Sequence, residues 1–466
     1  MLKSPELPDC IYENQPTLIR PSSPTPNHTL YLSNLDDQTF LRFSIKYLYL
    51  FRKSVNSTET LKESLSRVLV HYYPLAGRLR RSRGNDDDDD DDKKLQVECN
   101  GEGAVFAEAK MDLTAEKFLE FARKPNKTFR KLMYRAEAPA GFLDIPPLVV
   151  QVTNLQCGGM ILCTAINHCI CDGIGTSQFL HAWAHMTTNS NSTDLPLSPI
   201  HSRHLLRPRT PPEVTYSHPG FTKIAPNESH FQTGLNINEY LQSQPLVPTS
   251  ITFSPSQILH LKRQCFPSLK CTTFEVLASH TWQCWVKSLQ LSPSTQVKLL
   301  FSVNVRKKMS EEMPKGYFGN GFVLACAEAG VKELVSTNLY DGVKLVQKAK
   351  STITSDYVKS IIDLLEDKAV RTDLSTSLVI SQWSKLGLED LDFGQGKPLH
   401  MGPLTSDIYC LFLPVNGDYD DVRVLVSMPE NVVDKFEFYM TEFPGNVKND
   451  NTINYYGIDN FGIVSI

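Results

Sequence analysis

The chain lacks a long hydrophobic run. No segment approaches the roughly 18 consecutive apolar residues that a membrane span needs, so none is expected. The opening stretch, MLKSPELPDCIYENQPTL, has neither an apolar core nor an Arg-rich amphipathic pattern, which argues against a secretory signal or transit peptide. Positive charge is not in excess. Lys and Arg number 47 against 51 Asp and Glu, for a net charge of −4. That removes the basic footprint of a nucleic-acid binder. Cysteines are neither paired by spacing nor dense: eleven are scattered, mostly inside apolar runs. Buried free thiols in a reducing, cytoplasmic setting are expected rather than a disulfide framework.

Several catalytic signatures are also missing. No G-x-S-x-G elbow marks a serine hydrolase. No G-x-x-x-x-G-K-[ST] loop is present, and the pairs Gly319-x-Gly321 and Gly394-x-Gly396 are too sparse for a dinucleotide site. No C-x-x-C occurs, so no metal is expected.

What is present reads as a globular α/β protein. A chain of 466 residues is too long for one ordinary core and predicts two domains. Residues 188–235, rich in Pro, Ser, Thr and Asn, form the expected linker between 1–187 and 236–466. FLRFSIKYLYLF (40–51) alternates and predicts a strand, with Phe43, Ile45, Tyr47, Tyr49 and Phe51 on one face. The next segment predicts a helix through Leu61, Leu65, Val68 and Leu69, opened by a Thr60–Glu63 capping box. LQVECNGEGAVFAEA (95–109) predicts a hairpin turning at Gly101 and Gly103. Residues 146–168 predict two strands broken at Gly158-Gly159. A helix should follow Gly173, capped by Thr176 or Ser177 and burying Phe179, Trp183 and Met186. Further on come strands at 249–253, 297–305, 408–415 and 422–429. Helices are expected after Ser254-Pro255 and over 272–289, 341–365 and 430–441. The acidic run Asp86–Asp92 reads as a solvated, self-repelling loop.

One stretch carries chemistry. AINHCICDGIGTS (165–177) brings His168, Cys169, Cys171 and Asp172 to the end of an apolar strand, just before two glycines. A closed zinc site usually draws on two separated ligand pairs, and no second cluster has that spacing. A histidine at a strand end beside a helix start can act as a base near neutral pH. On the residues alone, a structural histidine is the commoner outcome. Asp172 could orient the ring or turn away to pair with an arginine.

The motif His168-Cys-Ile-Cys-Asp172-Gly173 resembles the H-x-x-x-D-G signature of the plant BAHD acyl-CoA-dependent acyltransferases. Asp392-Phe393-Gly394-Gln395-Gly396 resembles that family's second signature, D-F-G-W-G. YYPLAGRLR (72–80), VNVRKK (303–308) and GYFGNGF (316–322) extend the resemblance along nearly the whole chain. It implies two similar domains of the chloramphenicol acetyltransferase-like fold, with a channel between them. His168 would deprotonate an acceptor hydroxyl, which attacks the thioester of acyl-CoA. Acyl-CoA is then a co-substrate, an alcohol the acceptor, and the enzyme a monomer with no bound cofactor. The resemblance further implies an Asp172–Arg306 salt bridge between domains. It places Thr272, Thr273, Ser302 and Asn304 near the CoA channel and Asn320 near the active centre. A helix N-cap is the alternative for Thr272 and Thr273. It assigns Gly173, Asp392, Gly394 and Gly396 to structural loops.

Two positions depart from the pattern. Asn167 stands for the first His of H-H-x-x-x-D, and Gln395 for the Trp of D-F-G-W-G. The Gln395 change implies looser packing and weaker CoA affinity. YLSNLDDQ (31–38), NHCICDGIG and the TSDIYCLFLPV region resemble members that acylate aliphatic or benzylic alcohols, and that resemblance implies hydroxycinnamoyl transfer to long-chain ω-hydroxy acids or fatty alcohols. Acetyl or benzoyl transfer to a small alcohol is the alternative, and a non-catalytic BAHD-like partner in lipid metabolism is another.

Overall fold

The computed structural model describes residues 6–442, apart from 56, 83–92, 137, 139–140, 191–193, 225–238, 240, 242, 405–408 and 416. The Asp86–Asp92 run therefore lies outside the described residues. In the first part of the chain the strands are β1 (Thr17–Ile19), β2 (Thr29–Tyr31), β3 (Ser44–Phe51), β4 (Arg78–Arg81), β5 (Leu95–Glu98), β6 (Ala104–Met111), β7 (Leu148–Leu155) and β8 (Met160–Asn167). After them come β9 (Phe221–Lys223), β10 (Leu246–Phe253), β11 (Gln296–Asn304), β12 (Phe322–Gly330), β13 (Val370–Thr372), β14 (Ser377–Gln382), β15 (His400–Pro403), β16 (Cys410–Val415) and β17 (Asp418–Pro429).

Two six-stranded mixed sheets dominate. The first has the order β1-β6-β7-β8-β3-β15 and the second β10-β17-β16-β14-β11-β12. The C-terminal part of the chain thus lends a strand to the first sheet: β15 pairs antiparallel with β3, His400 opposite Leu50. β7 and β8 pair antiparallel across Gly158-Gly159, as their sequence implies.

On the first sheet, α1 (Thr58–His71) packs against α3 (Gly173–Thr188). Leu61, Leu65, Val68, Phe179 and Trp183 share one buried cluster. Trp183 also satisfies its indole N–H, donating to Leu61 O at 3.2 Å and Ser64 Oγ at 3.1 Å. Each such buried side chain contributes about 1.5–3 kcal/mol. A short helix, α2 (Ala115–Phe121), covers the other face through Phe118. The second sheet carries α4 (Pro255–Arg263), α5 (Thr273–Leu289), α6 (Val331–Ser336), α7 (Leu339–Thr352), α8 (Ser355–Leu364) and α9 (Val433–Thr441). Trp282 and Trp285 of α5 are fully buried there.

Four local expectations are corrected. Residues 95–109 are not a hairpin: β5 joins β2 and β4 in a small sheet, while β6 joins the first large sheet. Gly101 and Gly103, both at positive φ, carry the chain from one sheet to the other. The N-cap of α1 is Ser57, whose side chain accepts from Glu59 N at 3.1 Å, so Thr60 lies inside the helix. The N-cap of α3 is Asp172, not Thr176 or Ser177. The expected helix 341–365 is two, α7 and α8, because Thr354 caps a new start by accepting from Tyr357 N. The helix expected after Ser254-Pro255 is α4, and its N-cap Ser254 forms a capping box with Gln257.

Candidate active site

β8 delivers His168 to the rim of the first sheet. Asn167 is its last rung, opposite Ser44, and the His168 amide donates to Phe43 O at 2.8 Å. The turn that follows depends on Asn167. Its buried side-chain oxygen accepts from Cys169 N at 3.0 Å, a bond for which asparagine is well suited. Asp172 ends the turn by accepting from Gly175 N at 3.0 Å and capping α3.

The Asp172 carboxylate points away from His168 toward the second sheet. Arg306 grips it bidentately, Nη1 to Oδ2 at 2.8 Å and Nη2 to Oδ1 at 2.9 Å. Gly321 N donates to the same carboxylate at 2.9 Å. The expected Asp172–Arg306 pair is therefore present. Burial works to raise the Asp172 pKa, but Arg306 and the two backbone amides hold it below its usual value. Only glycine fits beside the guanidinium at position 321, where a Cβ would lie 2.6 Å from Arg306 Cζ.

A second buried network supports the His168 backbone. Asn320 is fully buried and donates through Nδ2 to His168 O at 2.8 Å and to Asp36 Oδ1 at 3.0 Å. Asp36 also accepts from Asn320 N at 2.8 Å and faces the fully buried Arg203, whose Nε lies 3.5 Å away. The rings of Phe43 and Phe322 flank His168 with centroids 5.4 and 5.9 Å from its own. Burial lowers the His168 pKa below 6.5, against opposing pulls from its own carbonyl, Asp172, Asn320 and Asp36. The imidazole is accordingly neutral near pH 7 and able to accept a proton. Among the described residues its Nδ1 has no hydrogen-bond partner.

Two cavities meet at His168. One, about 440 Å³, is mostly apolar, with walls that include Ile45, Tyr47, Leu324, Val379, Tyr409 and Leu411. The other, about 250 Å³, is more polar and is lined by Asp172, Gly173, Asn304, Gln382 and Lys385. His168, Ser302, Phe322, Ser381 and Trp383 belong to both. His168 therefore stands in the wall shared by the two chambers.

The other expected site residues divide. Ser302 and Asn304 line the cavities, and Arg306 and Asn320 brace them from behind. Thr272 and Thr273 line neither. Thr272 Oγ1 accepts from Glu275 N at 3.3 Å and caps α5, while Thr273 Oγ1 accepts from Lys262 at 3.1 Å. Asp392, Gly394 and Gly396 build a separate tight loop. Asp392 Oδ1 accepts from Gly394 N at 2.7 Å and Gly396 N at 2.9 Å, and both glycines have φ near +95°. Phe393 anchors that loop edge-on against Trp183, 5.1 Å between centroids. Gln395 lines neither cavity. Sequence reasoning missed Trp383, which stacks on Tyr47 at 5.2 Å, as well as Ser381 and Lys385. A tryptophan closing the strand SLVISQW was the available signal for it.

A family model described as the transferase family matches residues 12–442. The chain belongs to this family, the BAHD acyltransferases. Among its BAHD relatives, the omega-hydroxypalmitate O-feruloyl transferase of Arabidopsis thaliana is 34% identical, with 92% of each chain covered. The fatty alcohol:caffeoyl-CoA acyltransferase of the same plant is 35% identical, covering 92% of this chain and 98% of that one. The benzyl alcohol O-benzoyltransferase of Petunia hybrida is 34% identical, covering 93% and 94%. The BAHD fold is shared with crystalline vinorine synthase at a TM-score of 0.66 and 24% identity, over 91% of this chain and 95% of that one. It is also shared with F. graminearum TRI101 complexed with coenzyme A and deoxynivalenol, at 0.70 and 16% identity, over 88% and 96%. Among the described residues no helix is long and apolar enough to cross a membrane, and no group of three or more His, Cys, Asp or Glu could hold a metal ion.

Proposed function

We propose that this protein transfers an acyl group from acyl-CoA to an alcohol hydroxyl, with His168 as general base. The observation that carries this reading is the position of His168 in the shared wall of the apolar and polar cavities. The pantetheine arm of CoA enters through the polar chamber, past Asn304 and Lys385. The acceptor lies in the apolar one. Its hydroxyl proton passes to the imidazole as the oxygen attacks the thioester carbonyl. The tetrahedral intermediate then collapses, the C–S bond breaks, and the departing sulfur takes the proton back. A thioester is already activated, so placement and one base supply much of the rate.

The substrate class follows the relatives' names. Those relatives transfer feruloyl, caffeoyl and benzoyl groups to omega-hydroxypalmitate, fatty alcohols and benzyl alcohol. A hydroxycinnamoyl donor and a long aliphatic alcohol suit an apolar chamber of about 440 Å³. Asp172 and Arg306 act as positioning residues, and Asn320 fixes the His168 backbone. One chain supplies both chambers and the base, which supports a monomer; its domains are 1–187 and 236–466, save that β15 joins the first sheet, and its place is the cytoplasm.

The test is free-thiol release from acetyl-, benzoyl-, caffeoyl- and feruloyl-CoA, each with and without short and long alcohols. Release should require an alcohol and fall about 10²–10⁴-fold in His168→Ala. Full activity in that variant would sink the reading.

A further inference from the structure

One half-buried cation has no part in the scheme above. Arg423 leaves β17, where it lies opposite Thr252 and Leu413, and reaches across to the first sheet. There its Nη2 donates to Met401 O on β15 at 3.1 Å. Among the described residues this is its one side-chain hydrogen bond. Among those residues Nε is buried without a partner and no carboxylate pairs with the guanidinium. Arg423 is only partly exposed and faces a cleft, and a part-desolvated guanidinium without a counter-ion among the described residues suits an anion that arrives from outside.

The surroundings extend the point. Arg423 lines a cleft with Lys124, Lys127, Arg130 and His400, and among the described residues no acidic side chain is in its wall. Burial, with Arg423 adding to it, lowers the His400 pKa to about 3, so this ring is neutral. The cleft adjoins the apolar cavity, since Pro403 lines both. Tyr47 gives a second, electrostatic link between the apolar cavity and Arg423. It lines the apolar cavity, and its buried hydroxyl, without a hydrogen-bond partner among the described residues, feels the charge of Arg423. A chain running from His168 along the apolar cavity and past Pro403 would bring its far end to Arg423.

We propose that the preferred acceptor is a hydroxy acid, with its hydroxyl at His168 and, across an aliphatic spacer, its carboxylate at Arg423. This rests on the acyl-transfer reading and selects among alcohols within it. A carboxylate matches the planar donor fork of arginine, and exposed Lys124 and Lys127 add a favourable field at the entrance. A neutral alcohol fills the apolar cavity equally well but leaves Arg423 without a counter-ion.

The experiment measures feruloyl-CoA-dependent thiol release with 12-hydroxydodecanoate, its methyl ester and 1-dodecanol. Wild type should favour the hydroxy acid, and added salt should erode that preference. In Arg423→Met the ratio of kcat/KM for acid over ester should fall roughly 10- to 100-fold, chiefly through KM for the acid. Arg423→Lys should restore part of the ratio. A Lys124→Ala/Lys127→Ala double variant changes only exposed positions and should lower the same ratio severalfold. If Arg423→Met does not fold, that double variant and the salt dependence decide. Equal losses for all three acceptors, or a raised KM for feruloyl-CoA alone, would overturn the proposal and assign the cleft to a CoA phosphate. A wild type that prefers the ester also overturns it while leaving acyl transfer standing. No turnover with any acceptor would instead bring down the acyl-transfer reading beneath it.

Discussion

Replacing Arg306 with methionine tests the buried pair behind His168. The substitution keeps a long apolar stem and removes the fork. Asp172 would then keep two backbone donors, Gly175 N and Gly321 N, and lose two charge-assisted bonds of 2.8 and 2.9 Å. Its side chain is 7% exposed, so water reaches it poorly. Leaving a buried carboxylate unpaired costs about 3–5 kcal/mol, a large share of the roughly 5–15 kcal/mol that stabilises a typical domain. Asp172→Asn should cost less, because the amide oxygen still accepts from the α3 terminus. In the double variant no charge is stranded, and part of the loss should return. The assay is urea unfolding of wild type, both single variants and the double variant. A coupling of about 1–3 kcal/mol is expected. Additive single effects would refute the claim that these two groups act as a unit. Activity should fall too, by roughly 10²-fold, because a small shift of the Asp172 turn moves His168.

Acid sensitivity follows from the same pair. The Asp172 pKa is lower in the folded protein than the ordinary 3.8, so its contribution is complete above that value. It is lost as pH falls through the depressed folded pKa, and Arg306→Met should abolish that part of the acid transition in a pH titration of unfolding. For catalysis, kcat/KM should be level around pH 7 and decline on the acid side with an inflection below 6.5, since burial lowers the His168 pKa. An inflection well above 7 in the rate profile would contradict a desolvated base. Gly175→Ala would put a Cβ 2.6 Å from Cys171 Cβ, and calorimetry should register a loss of about 1–3 kcal/mol. Gln395→Trp should leave KM for acyl-CoA nearly unchanged, because position 395 lines neither cavity. A several-fold drop in that KM would show that the loop does reach the CoA chamber.

The parts of the site that lie close in sequence were legible in it. An apolar strand, a histidine at its end, a glycine pair and an amphipathic helix are local patterns, and β8, His168 and α3 follow them. Capping was less legible. Asp172, Thr176 and Ser177 are all good N-cap types, and only the bond to Gly175 N decides among them. The hairpin expected at 95–109 failed because alternation shows that a strand has two faces without naming its partner. The cavity walls were the least legible. Trp383 and Tyr47 stack although they belong to different parts of the chain, and Arg423 gains its position through the pairing of β17 with β10 and β16. Such neighbours are set by topology, which residue spacing does not encode.

The pairing of β15 with β3 has a consequence for synthesis. While a ribosome is still making the second half of this chain, the first sheet has β3 as an open edge, because the strand that covers it runs from His400 to Pro403. That edge carries Tyr47, Leu48, Tyr49, Leu50 and Phe51, all buried in the finished protein. An uncovered apolar edge invites pairing with other chains, and contacts between distant segments form slowly. A nascent chain stalled short of residue 400 should therefore depend on chaperones and aggregate without them. Truncations ending before and after β15 should differ sharply in soluble yield.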